Sequence, residues 1–242
     1  MRGRDIRSKD ARGRDVRGVQ TRKLLLQTAE RLFAAQGIAQ TSTRQITAEA
    51  GVSRDAIHYH FGSKAALVVA IVHGRTEELR ADIERRFAAR LPEQDVTVRD
   101  IAHAMVLAAT EMAEDESGRY YHPFLISVMN DPEFRHLLLQ AGATPQSEAV
   151  VAHLRPLTPG ISEAERIYRV ASAMMLILFG TGNSGVAEWV RSQTEVTDGH
   201  LLMMLTDVVT NVLAGGAAPG GGPAGREHES VSAATCPAQR SA

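Results

Sequence analysis

Residues 41–64 read TSTRQITAEAGVSRDAIHYHFGSK, a stretch that contains three helix starts in quick succession. Ser42 and Gln45 form a capping box, because a serine at a helix N-terminus and a glutamine three residues later can each bond the other's backbone N–H. Ser53 can cap a second short helix and Ser63 a third, longer one. Between the first two, residues 50–52 read Ala-Gly-Val, a tight turn whose glycine can adopt the left-handed conformation.

Two helices this short cannot bury much apolar surface alone, so they need a third helix to pack on. Residues 21–36 carry apolar side chains at helical spacing, and Gly37 follows as a C-terminal cap. The apolar residues of the short helices must pack back on this helix, and the set is Ile46, Ala50, Val52, Ile57 and Phe61 against Leu32 and Phe33. The pattern predicts a three-helix unit of helix-turn-helix type.

In such a unit the second short helix lies in the DNA major groove, where its side chains reach base edges. Here that helix is predicted over residues 54–61, with Ile57, His60 and Phe61 facing inward. Cations and exposed backbone amides in the first turns of the flanking helices can hold phosphates. The candidate DNA-binding residues are Ser42, Arg44, Ser53, Arg54, Asp55, Ala56, His58, Tyr59 and Lys64.

The charge distribution points to the same end of the chain. Residues 1–64 contain 13 Lys and Arg against 6 Asp and Glu, a net charge of +7, which leaves −8 for residues 65–242 because the whole chain carries −1. A basic head on an acidic body favours a polyanion as the partner of the head alone.

Residues 21–72 resemble the DNA-binding domain of the TetR family of transcriptional regulators. The resemblance is carried by Ala29, Leu32-Phe33, Gly37, Thr41-Ser42, Arg44, Ile46, the segment 50–53, Tyr59-His60-Phe61, Ser63-Lys64 and Leu67. It implies an all-helical dimer, usually a repressor, whose larger C-terminal domain binds a small apolar or amphipathic effector. By the same resemblance, the effector reorients the two DNA-binding heads, so that a palindromic double-stranded operator is lost.

Three residues depart from the family pattern. His58 stands where an aromatic tyrosine is usual, Thr47 replaces a common alanine, and Asp55 places a carboxylate where a small residue is usual. A carboxylate at that position can accept a hydrogen bond from cytosine N4 or simply weaken non-specific DNA binding. These departures keep a second hypothesis open, a helical ligand-binding or protein-interaction module without specific DNA binding.

The sequence predicts four parts, and the chain beyond Lys64 is predicted to be almost entirely helical as far as residue 214. Residues 1–20 are predicted as a flexible basic arm, 21–72 as the DNA-binding domain, 73–214 as the effector-binding and dimerisation domain, and 215–242 as a disordered Gly/Pro/Ala/Ser tail. Prolines and glycines delimit predicted helices over 64–89, 97–114, 118–129, 132–140, 146–155, 162–180, 184–193 and 198–214. The arm could be a solvated tail or a clamp on DNA.

Two functions are expected of the C-terminal helices. By the family resemblance, the apolar stripes of the last two long helices form the dimer interface, through Ile167, Val170, Met174, Ile177, Leu201, Leu205, Val208 and Val212. Methionine and aromatic side chains fill irregular apolar cavities, so the candidate effector-pocket residues are Met105, Met112, Tyr121, Phe124, Met129, Met174, Leu178 and Trp189.

Other functional classes find little support. Residues 180–185 read GTGNSG, which matches a dinucleotide-binding fingerprint, but that site needs a strand before it, and a hinge between helices is the better interpretation. His58 and His60 are two residues apart and point to different helix faces, unlike paired metal ligands. We therefore expect no enzymatic activity, no cofactor and no metal. The lone Cys236 and the lack of an apolar run of roughly 18 residues favour a cytoplasmic location without membrane association.

Overall fold

The structure, a computed structural model, describes residues 4–90, 96–116, 118–141, 144–181 and 185–215. Within these ranges the fold is entirely helical, as predicted. The helices are α1 (Arg4–Gln36), α2 (Thr43–Glu49), α3 (Ala56–Phe61), α4 (Lys64–Arg90), α5 (Val98–Glu114), α6 (Tyr121–Asn130), α7 (Pro132–Ala141), α8 (Pro145–Leu154), α9 (Glu163–Gly180), α10 (Gly185–Gln193) and α11 (Asp198–Ala214). In this part of the chain no helix is long and apolar enough to cross a membrane.

Helix boundaries from α4 onward agree with the predicted ones, and none differs by more than three residues. Local signals explain this agreement. Thr97 forms a full capping box with Asp100 at the start of α5, and the Ser162 hydroxyl accepts from the Glu165 N–H at the start of α9. Thr197 caps α11 in the same way, through the N–H of His200.

The N-terminal segment differs from the prediction of a flexible arm, because α1 is helical from Arg4 onward. A helix needs no apolar stripe to form locally, and the arginines in this segment have high helix propensity. Val16 and Val19 are 69% and 68% exposed, so this part of α1 stands clear of the core. Most of the predicted C-terminal tail, residues 216–242, lies outside the described residues.

The head comprises α2, α3, the C-terminal half of α1 and the start of α4. Leu25, Phe33 and Ile46 are fully buried between its helices, as the sequence predicts. Gly37 ends α1 with φ +82°, and Gly51 turns the chain between α2 and α3 with φ +65°, a conformation that L-residues with side chains rarely adopt. These two glycines fix the angles between the three head helices.

The body surrounds a core centred on α5. Ile101 and Met105 on α5 are fully inaccessible, and α4, α8, α9 and α11 pack around this helix. Gly180 ends α9 close to α11, since a Cβ atom at this position would lie 2.9 Å from Leu205 Cδ1. The first glycine of the GTGNSG segment therefore permits a close approach of α9 to α11 within the subunit, and no strand precedes it in the described chain.

Candidate nucleic-acid interface and adjoining cavity

Helix α3 presents a polar outer face. Tyr59 is 83% exposed, and its ring lies edge-on against His60 with centroids 4.9 Å apart. Asp55 and His58 are also exposed, whereas Ile57 is buried in the head. The structure thus brings together Asp55, His58 and Tyr59 on one accessible surface, and of the residues predicted to face inward Ile57 is buried while His60 and Phe61 are half-buried.

The start of α3 differs from the prediction at Ser53 and Ala56. The helix begins at Ala56 rather than at residue 54, and the N-cap is Asp55 without a side-chain hydrogen bond. Ser53 is not a side-chain cap: its backbone carbonyl accepts from the N–H of Ala56 at 3.1 Å, which forms a turn before the helix. The side chain of Ala56 is buried against the head, so it cannot read bases.

The flanking residues are arranged around this surface. Ser42 caps α2 by accepting from the Gln45 N–H at 3.1 Å, but the reciprocal half of the predicted capping box is replaced by a bond from Gln45 Nε2 to Gln36 Oε1 at 3.2 Å. Arg44 and Arg54 are exposed, and neither forms an ion pair with any residue that the structure describes. Both cations are therefore available to phosphates.

Lys64 points inward, contrary to its predicted role on phosphate. Its ammonium donates to the Ile38 carbonyl and lies 5.9 Å from the centroid of the Phe33 ring and 6.0 Å from that of Phe134. Burial lowers the pKa of Lys64, while the carboxylates of Asp131 and Glu133 act in the opposite direction. The side chain joins the head to α7 instead of facing DNA.

A cavity of about 200 Å³ lies in the body directly behind the head. Its walls come from α4, α5, α6, α7, α9 and the start of α8, and most of the lining is apolar. Four of the predicted pocket residues line it: Tyr121, Met129, Met174 and Leu178.

The other four predicted pocket residues lie elsewhere. Met105 is fully buried in the core, and Phe124 is stacked on Phe33 with centroids 5.9 Å apart. Met112 packs beneath the turn at Gly118, and Trp189 is 65% exposed on α10. Helical periodicity predicts which face of each helix is apolar, but it does not predict which of these faces meet around one cavity. For this reason the four residues fit the pattern of a pocket without lining this one.

Sequence reasoning missed the polar residues of this cavity, chiefly His122 and Gln146. Burial lowers the pKa of His122 to about 4, so its imidazole is neutral at pH 7. Its Nδ1 lies 3.3 Å from the hydroxyl of Thr181. His122 could have been proposed from the sequence, because it is a polar residue within the largely apolar segment 120–129.

An ion pair is buried between the head and the body. Arg75 on α4 donates two hydrogen bonds to the Glu30 carboxylate on α1, at 2.9 and 2.8 Å, and one to Glu78 at 2.8 Å. Burial raises the pKa of Glu30, and the hydrogen bonds and charge of Arg75 oppose that rise. Tyr121 lies against this pair, and burial, followed by the charge of Glu30, raises the pKa of its phenol.

The head of this chain matches a known protein family. The family model described as "Bacterial regulatory proteins, tetR family" matches residues 25–71. The HTH-type transcriptional regulator BetI of Rhizobium meliloti (strain 1021) is 30% identical over 155 residues, which cover 64% of this chain and 73% of BetI. The chain belongs to the TetR family.

Two further proteins resemble this TetR-family chain, one in sequence and one in structure. The HTH-type regulator YerO of Bacillus subtilis (strain 168) is 25% identical over 166 residues, 67% of this chain but only 48% of YerO, so the chain matches about half of that protein. The structure of SmeT in complex with triclosan, a repressor from Stenotrophomonas maltophilia, is 25% identical with a TM-score of 0.52. That similarity covers 79% of this chain and 90% of the SmeT chain.

Helices α9 and α11 of this TetR-family chain expose an apolar face that differs in part from the predicted stripe. Val170 and Ile177 are buried within the subunit and Met174 lines the cavity, so this side of α9 is intrachain core rather than interface. The exposed apolar residues on α9 are Ile167, Tyr168, Leu176 and Phe179, and on α11 they are Met203, Met204 and Val208. Leu201, Leu205 and Val212 are half-buried. Of the four residues predicted on α9, Ile167 lies on the exposed face and the other three do not, because both faces of this helix are apolar and the pattern could not separate them.

Proposed function

We propose that this chain is a DNA-binding transcriptional repressor that grips a palindromic operator as a homodimer and releases it when a small apolar or amphipathic molecule occupies the cavity. The observation that carries the proposal is the position of α6, which lines the cavity with one face and supports the head with the other.

The cavity and the head contact opposite faces of the same helix, α6. Tyr121 and Met129 line the cavity. On the opposite face, Phe124 stacks on Phe33, and the Ser127 hydroxyl accepts from the Ile38 N–H at 3.3 Å. A molecule that needs α6 in a new position therefore moves α1 and the head with it. Release of DNA requires that the effector bind the DNA-incompetent arrangement more tightly, because equal affinity for both arrangements shifts nothing.

The outer face of α3 supports a role in reading bases. His58 Nδ1 lies 2.9 Å from the Gly62 carbonyl, which can only accept, so Nδ1 carries the hydrogen of the neutral ring. His58 Nε2 is then an acceptor, as is the Asp55 carboxylate. Acceptors match the amino groups that cytosine N4 and adenine N6 present in the major groove. The hydroxyl of Tyr59 and the cations of Arg44 and Arg54 suit phosphate oxygens.

The exposed apolar residues of α9 and α11 support a homodimer. Tyr168, Phe179, Met204 and Val208 lie on the surface of the isolated subunit, and such a face is stable in water when a second copy covers it. SmeT, the relative bound to triclosan, is described as the repressor of an efflux pump, which supports repression and a small organic effector here.

The test is selection of bound DNA from a random duplex pool with the purified chain, repeated at two salt concentrations. We expect a palindromic site whose two halves are about one helical turn apart or a multiple of it. Binding that falls with salt but selects no sequence would contradict the proposal. It would favour the second candidate, a ligand-binding module whose head no longer recognises an operator, for which the unusual Asp55 and His58 are the motivating residues.

A further inference from the structure

The polar groups of the cavity carry information about the ligand beyond its size. At about 200 Å³, the cavity exceeds the roughly 150 Å³ that accommodates benzene in an engineered protein core, so one or two fused rings fit. Among the described residues that line it, none is Asp, Glu, Lys or Arg. A charged ligand would lose hydration in this space, and the described side chains that line it include no carboxylate, ammonium or guanidinium to replace that hydration.

The hydrogen-bond network fixes the tautomer of His122. The Thr181 hydroxyl has a single hydrogen, which it donates to the Ile177 carbonyl at 2.8 Å. Its oxygen can then only accept from His122 Nδ1, 3.3 Å away, so Nδ1 carries the imidazole hydrogen. Nε2 is left as an acceptor, and no described residue donates to it.

A second polar group in the cavity also lacks a partner. Gln146 is only 8% exposed and lines the cavity, yet its side-chain amide forms no hydrogen bond with any residue that the structure describes. Buried amides in folded proteins are almost always hydrogen-bonded, to protein, to water or to a ligand. The cavity is also lined by polar groups of His73, Thr76, Tyr121 and Thr144, but the Gln146 amide is buried and, like His122 Nε2, has no donor or acceptor among the described residues.

We propose that the effector is an uncharged aromatic molecule of one or two rings with a hydroxyl or N–H group that donates to His122 Nε2. Gln146 bonds a second polar group of the effector where one is present. This assignment rests on the proposed function, because it assumes that the cavity is the effector site. His122 acts as a specificity-determining residue, and Thr181 positions it.

The test uses four probes that share a naphthalene ring: 2-naphthol, 2-methoxynaphthalene, 2-naphthoate and 2-naphthylmethylammonium. Binding to the full-length protein at pH 7 is measured by isothermal titration calorimetry. We expect 2-naphthol to bind about ten-fold more tightly than the methyl ether, which has no donor, since one net hydrogen bond is worth about that factor. The carboxylate and the ammonium should bind more weakly than both.

Two variants localise the effect. In His122→Phe, which keeps a planar ring, the preference for 2-naphthol over the ether should vanish while the ether still binds. In Thr181→Val, the preference should shrink because Nδ1 no longer has a fixed acceptor. In the wild-type protein labelled with ¹⁵N-histidine, the Nε2 resonance should move on addition of 2-naphthol and not on addition of the ether, a readout that needs no variant to fold.

Several results would overturn the proposal: equal binding of alcohol and ether, tighter binding of either charged probe, an unchanged preference in His122→Phe, or no binding of any probe. Failure of the proposed function is distinguishable. If 2-naphthol binds through His122 but leaves the affinity for the selected operator unchanged, the ligand assignment stands and its link to DNA release is wrong. If no operator is selected at all, the calorimetry still decides the ligand class.

Discussion

Two Tyr-His pairs occupy opposite environments in this molecule. Tyr59 and His60 lie on α3, where the tyrosine is 83% exposed, whereas Tyr121 and His122 begin α6, where the tyrosine is 2% exposed. Tyr59 projects from the head with its ring edge-on against the half-buried His60, whereas Tyr121 and His122 both line the cavity. The same side chains therefore serve an outer polar surface in one place and an inner chamber in the other, and their surroundings alone make the difference.

The largest expected effect concerns the ion pair behind Tyr121. Replacing Arg75 by Met leaves the Glu30 carboxylate buried without its partner, which should lower the free energy of unfolding by about 3–5 kcal/mol in urea denaturation at pH 7. The matched control is Arg80→Met on the same helix, where the pair with Glu77 lies at the surface, so this variant should be nearly as stable as the wild type.

The double variant Glu30→Leu/Arg75→Met sharpens this prediction. With both charges removed, most of the lost stability should return, because the desolvation of an unpaired carboxylate is gone. If Arg75→Met is as stable as Arg80→Met, the Glu30 carboxylate is not effectively buried. The surroundings of Tyr121 would then be less different from those of Tyr59 than the comparison requires.

The two tyrosines can be compared directly by alanine substitution. Tyr121→Ala should lower the free energy of unfolding by about 3–4 kcal/mol, since it empties a buried ring position, whereas Tyr59→Ala should change it by less than about 0.5 kcal/mol. Tyr59→Ala should instead weaken binding to the selected operator by about ten-fold or more. Fluorescence anisotropy with the operator duplex and urea denaturation provide the two measurements, and similar losses of stability would contradict the comparison.

A smaller effect is expected from the histidine of the inner pair. The pKa of His122 is about 4 in the folded chain, below the 6.5 of an unperturbed histidine, so the unfolded chain binds more protons between these values. The stability that this histidine contributes is complete above about pH 6.5 and is lost as the pH falls towards 4. From pH 7 to pH 5 the free energy of unfolding should fall by about 1–2 kcal/mol more in the wild type than in His122→Phe.

The smallest expected effect separates Lys64 from Arg44. Because Lys64 is bonded to Ile38 inside the head, Lys64→Met should lower the free energy of unfolding by about 1 kcal/mol and leave the salt dependence of DNA binding unchanged. Arg44→Met should leave stability unchanged and reduce the slope of log K against log salt by about 1.8 for the dimer, since each of its two protomers loses one phosphate contact worth about 0.9. A reduced slope for Lys64→Met would place its ammonium on phosphate after all.

The sequence predicts local features of this fold well and non-local ones poorly. Helix ends agree because Thr97, Ser162 and Gly37 act on the few residues beside them. The outer face of α3 was predictable for the same reason, since a short helix in a tight turn has only one way to bury Ile57.

The cavity was harder to predict because its wall combines helices far apart in the chain. Which side of α9 faces inward depends on its packing against α8 and α11, and the apolar residues on both sides gave no preference. Met105 and Phe124 fitted the residue types of a pocket but fill the core. The polar groups at His122 and Gln146 have meaning only once the surrounding helices are in place.

The backbone amides of helix α1 differ strongly along its length in how well they are protected from exchange with water. Its 33 residues span about 50 Å. Near Leu25 and Phe33 the helix is buried in the core, whereas Val19 is exposed and a Cβ atom at Gly18 would meet no atom of the described chain within 4 Å. Amide hydrogen exchange should therefore slow by orders of magnitude along this single helix, from its outer turns to its buried ones.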